Sequence, residues 1–219
     1  MKPDMDEAEL NFFKNLQELI GSPAPKIKNR FPQTSKTICG VDAAYETSSN
    51  RVLAAAALFV DGNLKETGFY SGTFTFPYFP GLFFLHEGPF VVAAIRNLKT
   101  IPALVCFDAH GTAHPRMKGL ATICGMMLGV RSIGIAKSRL IGESIPNREG
   151  LVIENHQRKL GYETQNPKRY WSPGFSVTLQ ELKRVIHSQN RITCLSSMAA
   201  AHDLAINGLR QSLTRSSDL

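Results

Sequence analysis

Three carboxylates in the first half of the chain stand at positions where carboxylates are uncommon. Asp42 lies inside an apolar segment with the pattern of a strand, and Asp108 ends a second apolar run, Ala103 to Phe107. Glu87 falls three residues after Phe84, on the apolar face of a predicted helix. A buried carboxylate needs a cation or hydrogen-bond donors. Each position therefore predicts either a structural contact, such as a core ion pair, a helix cap or a turn, or a functional site.

The three carboxylates can form one site if the strands that carry Asp42 and Asp108 are neighbours. Both side chains would then meet in the middle of the sheet, with Glu87 above them. An all-oxygen set of ligands suits Mg²⁺ or Mn²⁺ rather than zinc. A site of this kind activates water and stabilises the leaving oxygen of a phosphodiester. The pattern makes a metal-dependent phosphodiester hydrolase plausible without demonstrating it.

Two loops add further candidate residues. The loop after Asp108 carries two histidines, a glycine, a proline, Arg116 and Lys118. The segment Phe76 to Gly81 contains two prolines and cannot be regular structure, so it predicts a stiff loop. Its aromatic residues, Tyr78 and Phe79, either stack on or wedge between nucleic acid bases or simply cover the core.

The predicted elements that must position these residues form an α/β fold. An amphipathic helix, a three-stranded antiparallel meander and a strand–helix–strand–helix–strand series predict a mixed sheet with helices on its faces. The helices are expected at Asp4 to Ile20, Leu82 to Leu98 and Gly119 to Leu128, and the strands at Thr37 to Tyr45, Arg51 to Val60, Leu64 to Thr75, Ala103 to Asp108 and Ser132 to Ala136.

The last third of the sequence has a weaker pattern. Ile145 to Pro167 predicts irregular structure with one short β segment, and Ser172-Pro-Gly174 predicts a turn. A capping box at Thr178 opens a helix that runs to about Ser188. The final helix, Leu195 to Leu209, has His202 on its apolar face, where a histidine is either a satisfied core residue or a functional group.

Composition sets the protein class. The chain has 219 residues, of which 43% are hydrophobic, and a formal net charge of +7, which mildly favours polyanionic partners. Four separated cysteines without a Cys-x-x-Cys pair indicate buried thiols in a reducing compartment. The acidic N-terminus and the absence of a long apolar run predict no signal peptide and no membrane partner. We expect a single domain over residues 1–219, monomeric and cytoplasmic, or nuclear in a eukaryote.

Several segments form an ordered set of motifs. They are Gly40-Val-Asp42-Ala-Ala-Tyr45, Pro77-Tyr-Phe-Pro-Gly81, Phe84-Leu-His-Glu87, Asp108-Ala-His-Gly-Thr-Ala-His-Pro-Arg116 and Ile133-Gly-Ile-Ala-Lys-Ser-Arg-Leu140. These motifs resemble those of the endonuclease V family, whose members are inosine-directed endonucleases with a ribonuclease H-like fold. The resemblance covers roughly residues 37 to 142 and implies a mixed sheet of five to six strands flanked by helices on both faces.

The resemblance implies a catalytic centre. Asp42, Glu87 and Asp108 would hold the catalytic Mg²⁺, for which Mn²⁺ can substitute, and His202 would support the site or handle a proton. Lys137 would lie against the attacked phosphate or the nucleophilic water. Cleavage would fall at the second phosphodiester bond 3′ to an inosine in DNA or RNA and leave 3′-hydroxyl and 5′-phosphate ends.

The resemblance also implies a substrate-binding surface, with a wedge, a hypoxanthine pocket and phosphate contacts. The wedge would be Pro77, Tyr78, Phe79 and Pro80. The pocket would be lined by backbone at Gly81, Leu82, Phe83, Ala109, His110 and Gly111. His114 would shape the adjoining loop, and Arg116, Lys118, Lys137 and Arg139 would contact phosphates.

The chain departs from the family pattern at three places, which leaves other functions open. His86 stands where the family usually has arginine or lysine. Ser172-Pro-Gly-Phe175 stands where the family usually has Ser-x-Gly-His, and Cys194 to Met198 replaces Pro-Thr-Arg. One alternative is an inosine- or structure-binding protein with weakened catalysis. Another is a structure-specific nuclease without inosine preference.

Overall fold

The computed structural model describes residues 7–20, 37–147 and 150–217. Within these ranges it contains five helices and one nine-stranded sheet. The strands are β1 Thr37–Glu46, β2 Arg51–Val60, β3 Asn63–Thr73, β4 Leu104–Phe107, β5 Ser132–Ala136, β6 Glu143–Asn147, β7 Gly150–Asn155, β8 Arg158–Thr164 and β9 Arg169–Pro173. The helices are α1 Glu7–Leu19, α2 Phe83–Arg96, α3 Leu120–Leu128, α4 Leu179–Ile186 and α5 Asn190–Ser217. The strand order is β3-β2-β1-β4-β5-β9-β8-β7-β6.

The centre of the sheet has the predicted arrangement. β1, β2 and β3 form the antiparallel meander, and β1 pairs in parallel with β4, which pairs in parallel with β5. The register joins Val41 to Phe107. The next residues along the two strands, Asp42 in the middle of β1 and Asp108 directly after β4, therefore lie side by side where β4 ends.

Helices cover both faces of the sheet, as expected for the predicted fold class. Alternate residues of each strand point to opposite faces, so Cys39 and Val41 join a core with α2 and α3. On the other face, Ile38 and Cys106 join a second core with α4 and α5. The strongly apolar β2 is buried on both sides, which fits a strand between two helical layers.

The sheet is larger than predicted, because the region expected to be irregular forms four antiparallel strands. β6, β7 and β8 follow one another as a meander, and β9 joins β8 to β5. These strands are short, and β6 contains Pro146, which is tolerated because β6 is an edge strand. Ser172 and Pro173, expected in a turn, are instead the last residues of β9.

The inward faces of the two terminal helices match the predicted ones only in part. In α5 the buried stripe includes Cys194, Met198, Ala201 and Ala205, while His202 is exposed. Its length also exceeds the predicted Leu195 to Leu209.

In α1, Leu10, Phe13 and Ile20 pack on the core as expected, but Leu16 and Leu19 are exposed and Gln17 is buried. The predicted first residues of this helix, 4–6, and the connector 21–36 lie outside the described residues. In the described part of the chain, no helix is both long and apolar enough to cross a membrane.

Candidate active site

The structure brings Asp42, Glu87 and Asp108 together where the carboxyl end of β4 lies beside the middle of β1. Glu87 is 5% exposed on α2, and burial raises its pKa to about 8, with further contributions from the negative charges of Asp42 and Asp108. Burial likewise raises the pKa of Asp42, and the charge of Asp108 adds to that effect. The three carboxylates therefore lie close enough to repel one another.

Each carboxylate has a donor or cation beside it. The Tyr45 hydroxyl donates to Oε2 of Glu87 over 3.1 Å, and the Ala43 amide donates to Oδ1 of Asp42 over 2.9 Å. Lys137, directly after β5, forms an ion pair with Asp108. Because the pKa values of Asp42 and Glu87 are raised despite these partners, the cluster still favours an additional positive charge.

His202 reaches this cluster from α5. Its Nδ1 lies 2.6 Å from Oδ2 of Asp42, on the exposed side of the helix. The approach depends on Gly40 in β1, because a Cβ there would collide with the backbone of Ser197 and Met198. The histidine is therefore positioned by close packing of α5 on β1, rather than by being part of the apolar stripe.

The donor set fits a hard divalent cation, and Asp42, Glu87 and Asp108 are the residues that would hold it. Burial first, and then the neighbouring negative charges, raise the pKa values of Asp42 and Glu87, and a bound cation would offset both effects. As the side chains stand, no group of three Asp, Glu, His or Cys residues in the described ranges is already arranged around one ion. In this arrangement Lys137 forms an ion pair with Asp108, and Nδ1 of His202 contacts Oδ2 of Asp42.

A cavity of about 260 Å³, the Asp108 cavity, opens beside the carboxylates. Its lining includes Tyr78, Gly81, Phe83, Ala109, His110, Leu140, Asp108 and Lys137. Nδ1 of His110 is buried and has no hydrogen-bond partner among the described residues. The cavity wall therefore combines apolar and polar side chains directly beside Asp108.

Two residues predicted for the pocket lie behind its wall instead. Leu82 is fully buried, and Gly111 is buried against β9, where its amide donates to Oγ of Ser172 over 2.8 Å. A Cβ at Gly111 would collide with the Pro173 carbonyl. These residues support the Asp108 cavity without lining it.

The aromatic loop, residues 76–81, exposes one of its two candidate aromatic side chains and packs the other against the core. Tyr78 is 62% exposed, whereas Phe79 packs against the core. His86 holds the loop, because its Nδ1 lies 2.6 Å from the Phe76 carbonyl and its ring stacks on Tyr45 at 4.8 Å. His86 thus connects the aromatic loop to Tyr45, whose hydroxyl donates a hydrogen bond to Glu87.

The predicted phosphate-binding residues separate into two groups. Lys137 is exposed in the lining of the cavity, whereas Arg139 is exposed outside that lining, with its guanidinium donating to Oγ of Ser144 over 3.4 Å. Arg116 and Lys118 are instead bonded within the protein, to the Gly81 carbonyl and the Glu18 carbonyl respectively. His114 is buried beneath Gly81 and does not face the solvent.

Gln17, Tyr45 and His86 are contributors that sequence reasoning did not assign. Tyr45 lay in a recognised motif, and His86 was noted only as a departure from the family. Gln17 gave a weaker signal, a polar residue between Phe13 and Ile20 on the inward side of α1.

Comparisons with known proteins identify endonuclease V proteins as similar to this chain. The family model for endonuclease V matches residues 23–194. An endonuclease V of Saccharolobus islandicus is 36% identical over 172 residues, covering 78% of this chain and 84% of that protein. Gln17 and His202 lie outside the span matched by the family model.

Solved structures show the same fold. The endonuclease V of Streptomyces avermitilis has a TM-score of 0.78 at 23% identity and covers 96% of both chains. The endonuclease V of Ciona intestinalis, in complex with a 24mer DNA containing an inosine followed by a ribo-adenosine, has a TM-score of 0.74 at 16% identity. It covers 94% of this chain and 99% of that one.

Proposed function

Because this chain belongs to the endonuclease V family, we propose that it is a metal-dependent endonuclease that cleaves inosine-containing DNA or RNA at the second phosphodiester bond 3′ to the inosine. The observation that carries the proposal is the position of the carboxylate cluster beside the Asp108 cavity. A base held in the cavity and a phosphate at the cluster can belong to one strand. Tyr78 stands at the entrance, where an aromatic ring can fill the space left by the base.

The Mg²⁺ that the three carboxylates would hold, or Mn²⁺ in its place, supplies Lewis-acid stabilisation of charge at the phosphate and lowers the pKa of water. Lys137 provides the positive charge nearest Asp108 and can contact the attacked phosphate. His202 fixes the orientation of Asp42 through the contact at Nδ1. The Tyr45 hydroxyl fixes one oxygen of Glu87, leaving the other oxygen for the site.

The substrate class is supported by chemistry and by a relative. Recognition of a base in a cavity requires extrusion or an unpaired strand, because inside a duplex the Watson–Crick edge of the base is paired and its faces are stacked. The structure of the Ciona intestinalis endonuclease V was determined in complex with inosine-containing DNA. We propose the same class of substrate for this chain, with backbone around Gly81 and Ala109 and the ring of His110 contacting the base.

Cleavage of end-labelled oligonucleotides tests the proposal. Single inosines are placed in DNA and in RNA, single- and double-stranded, and incubated with Mg²⁺, Mn²⁺ or EDTA beside guanosine and adenosine controls. We expect one cut at a fixed position, dependent on metal, with 5′-phosphate and 3′-hydroxyl ends. Cleavage in EDTA, or equal cleavage of guanosine controls, would contradict metal dependence or inosine preference respectively.

Asp108→Asn provides the matched test of the site. The amide keeps the shape of the side chain but removes its negative charge, so we expect at least a hundredfold loss of cleavage with substrate binding retained. Asp61→Asn is the control, since Asp61 is exposed in the β2–β3 turn at φ 48°, a conformation that asparagine adopts readily. Near-normal cleavage by Asp108→Asn would refute the metal-site assignment, and binding without turnover by the unaltered protein would favour the inosine-binding alternative.

A further inference from the structure

One residue that lines the Asp108 cavity comes from α1, and this helix lies outside the span matched by the family model. Gln17 is 1% exposed, lines this cavity and uses both ends of its amide. Its oxygen accepts a hydrogen bond from Nε of Arg116, and its nitrogen donates to the Lys118 carbonyl over 2.5 Å. A buried glutamine with both ends engaged fixes the two groups that it joins.

The first of these bonds leads to the wall made by the aromatic loop. Nη2 of Arg116 donates to the Gly81 carbonyl over 2.6 Å, and Nε2 of His114 lies 3.1 Å from the same oxygen. Gly81 has a φ of 80°, a conformation that favours glycine, and a Cβ there would crowd Nη2 of Arg116. Gln17 therefore holds the guanidinium that fixes the Gly81 wall.

The second bond leads to the opposite wall, which is built from Ala109 and His110. Lys118, whose carbonyl accepts from Gln17, directly precedes Gly119. The Gly119 amide donates to the Gly111 carbonyl over 3.0 Å, and a Cβ at Gly119 would collide with the His110 carbonyl. The backbone after Lys118 thus packs directly behind this wall.

We propose that Gln17 is a positioning residue that braces the two walls of the Asp108 cavity and thereby sets its selectivity for the base. The inference rests on the proposed function. Guanine differs from hypoxanthine by one added amino group, so excluding guanine requires a cavity of fixed width. A glutamine that ties both walls together supplies this restraint, and α1 becomes part of the substrate-binding structure.

The test compares cleavage of inosine and guanosine substrates by Gln17→Met, which keeps the length of the side chain but forms neither hydrogen bond. We expect the ratio of kcat/KM for inosine over guanosine to fall about tenfold, the scale of discrimination by one small group. Asn15→Ala, on the exposed side of the same helix, is the matched control and should keep the ratio of the unaltered protein.

Gln17→Glu and Arg116→Met extend the comparison. Glutamate keeps an acceptor for Arg116 but loses the donor to Lys118, so it should also lower the ratio, and it serves as the principal variant if Gln17→Met does not fold. If Gln17 acts through Arg116, the double variant that carries Gln17→Met and Arg116→Met should lose less of the inosine-over-guanosine selectivity than the product of the fold-losses of the two single variants.

The outcomes separate this inference from the proposed function. Absence of inosine-directed cleavage by the unaltered protein contradicts the proposed function itself. Selective cleavage by the unaltered protein with an unchanged ratio in Gln17→Met and Gln17→Glu overturns the role of Gln17. An equal loss on both substrates also overturns it, because that result indicates only a smaller folded or active fraction.

Discussion

His114 allows a quantitative prediction about pH and stability. Its side chain is 4% exposed, and burial, followed by the positive charge of Arg116, lowers its pKa to about 4. The Arg116 amide donates to Nδ1 over 3.2 Å, so the proton resides on Nε2, which donates to the Gly81 carbonyl. A second proton would remove the acceptor at Nδ1 and place a charge beside a guanidinium.

The sign of the effect follows from proton binding in the two states. Between about pH 6.5 and pH 4 the unfolded chain carries a proton on this histidine and the folded chain does not. The free energy of unfolding should therefore decrease as the pH falls through this window and level off below about pH 4. The full difference is at most roughly 3.5 kcal/mol, from about 1.4 kcal/mol for each of the 2.5 pH units between a pKa of 6.5 and one of about 4.

Urea unfolding of the unaltered protein and of His114→Gln, from pH 4 to pH 8, measures this contribution. Glutamine does not titrate, so the difference in stability between the two proteins should depend on pH only between about 6.5 and 4. His156→Asn, which removes an exposed imidazole in the β7–β8 turn, is the control. If the difference between the unaltered protein and His114→Gln is constant across this window, His114 binds its proton equally well in both states and the burial argument is wrong.

Three further substitutions test the site. His202→Ala should lower kcat about tenfold or more, because Asp42 loses a hydrogen bond to a group that can carry charge, and an unchanged kcat would remove His202 from the mechanism. Lys137→Met should lower kcat at least a hundredfold with little effect on stability, since the ammonium is exposed and acts on the phosphate, with Lys65→Met as the exposed control. Tyr78→Ala should leave the melting temperature unchanged but weaken cleavage of duplex inosine about tenfold more than that of single strands, and equal effects on both would contradict a wedge.

Much of the fold could be predicted from local pattern. The meander, the helix carrying Glu87 and the strand ending at Asp108 all have strong periodicity or turn signals, and the structure confirms them. The four strands β6–β9 could not be predicted, because each is short and contains polar residues or proline. These strands pair with their neighbours in sequence, but they join the main sheet only because β9 pairs with β5 across a longer sequence separation, which no local pattern encodes.

The sequence by itself determined which groups could do chemistry: three carboxylates in apolar settings, a proline-stiffened aromatic loop and a histidine near the end of the chain. The tertiary structure decided how these groups meet. Parallel pairing of β1 and β4 puts Asp42 beside Asp108, and the absence of a side chain at Gly40 lets α5 bring His202 to Asp42. The orientation of α1 about its own axis places Gln17 in the wall of the Asp108 cavity. That orientation is set by packing over the whole helix face, whereas sequence periodicity gives only the average direction of the apolar side chains.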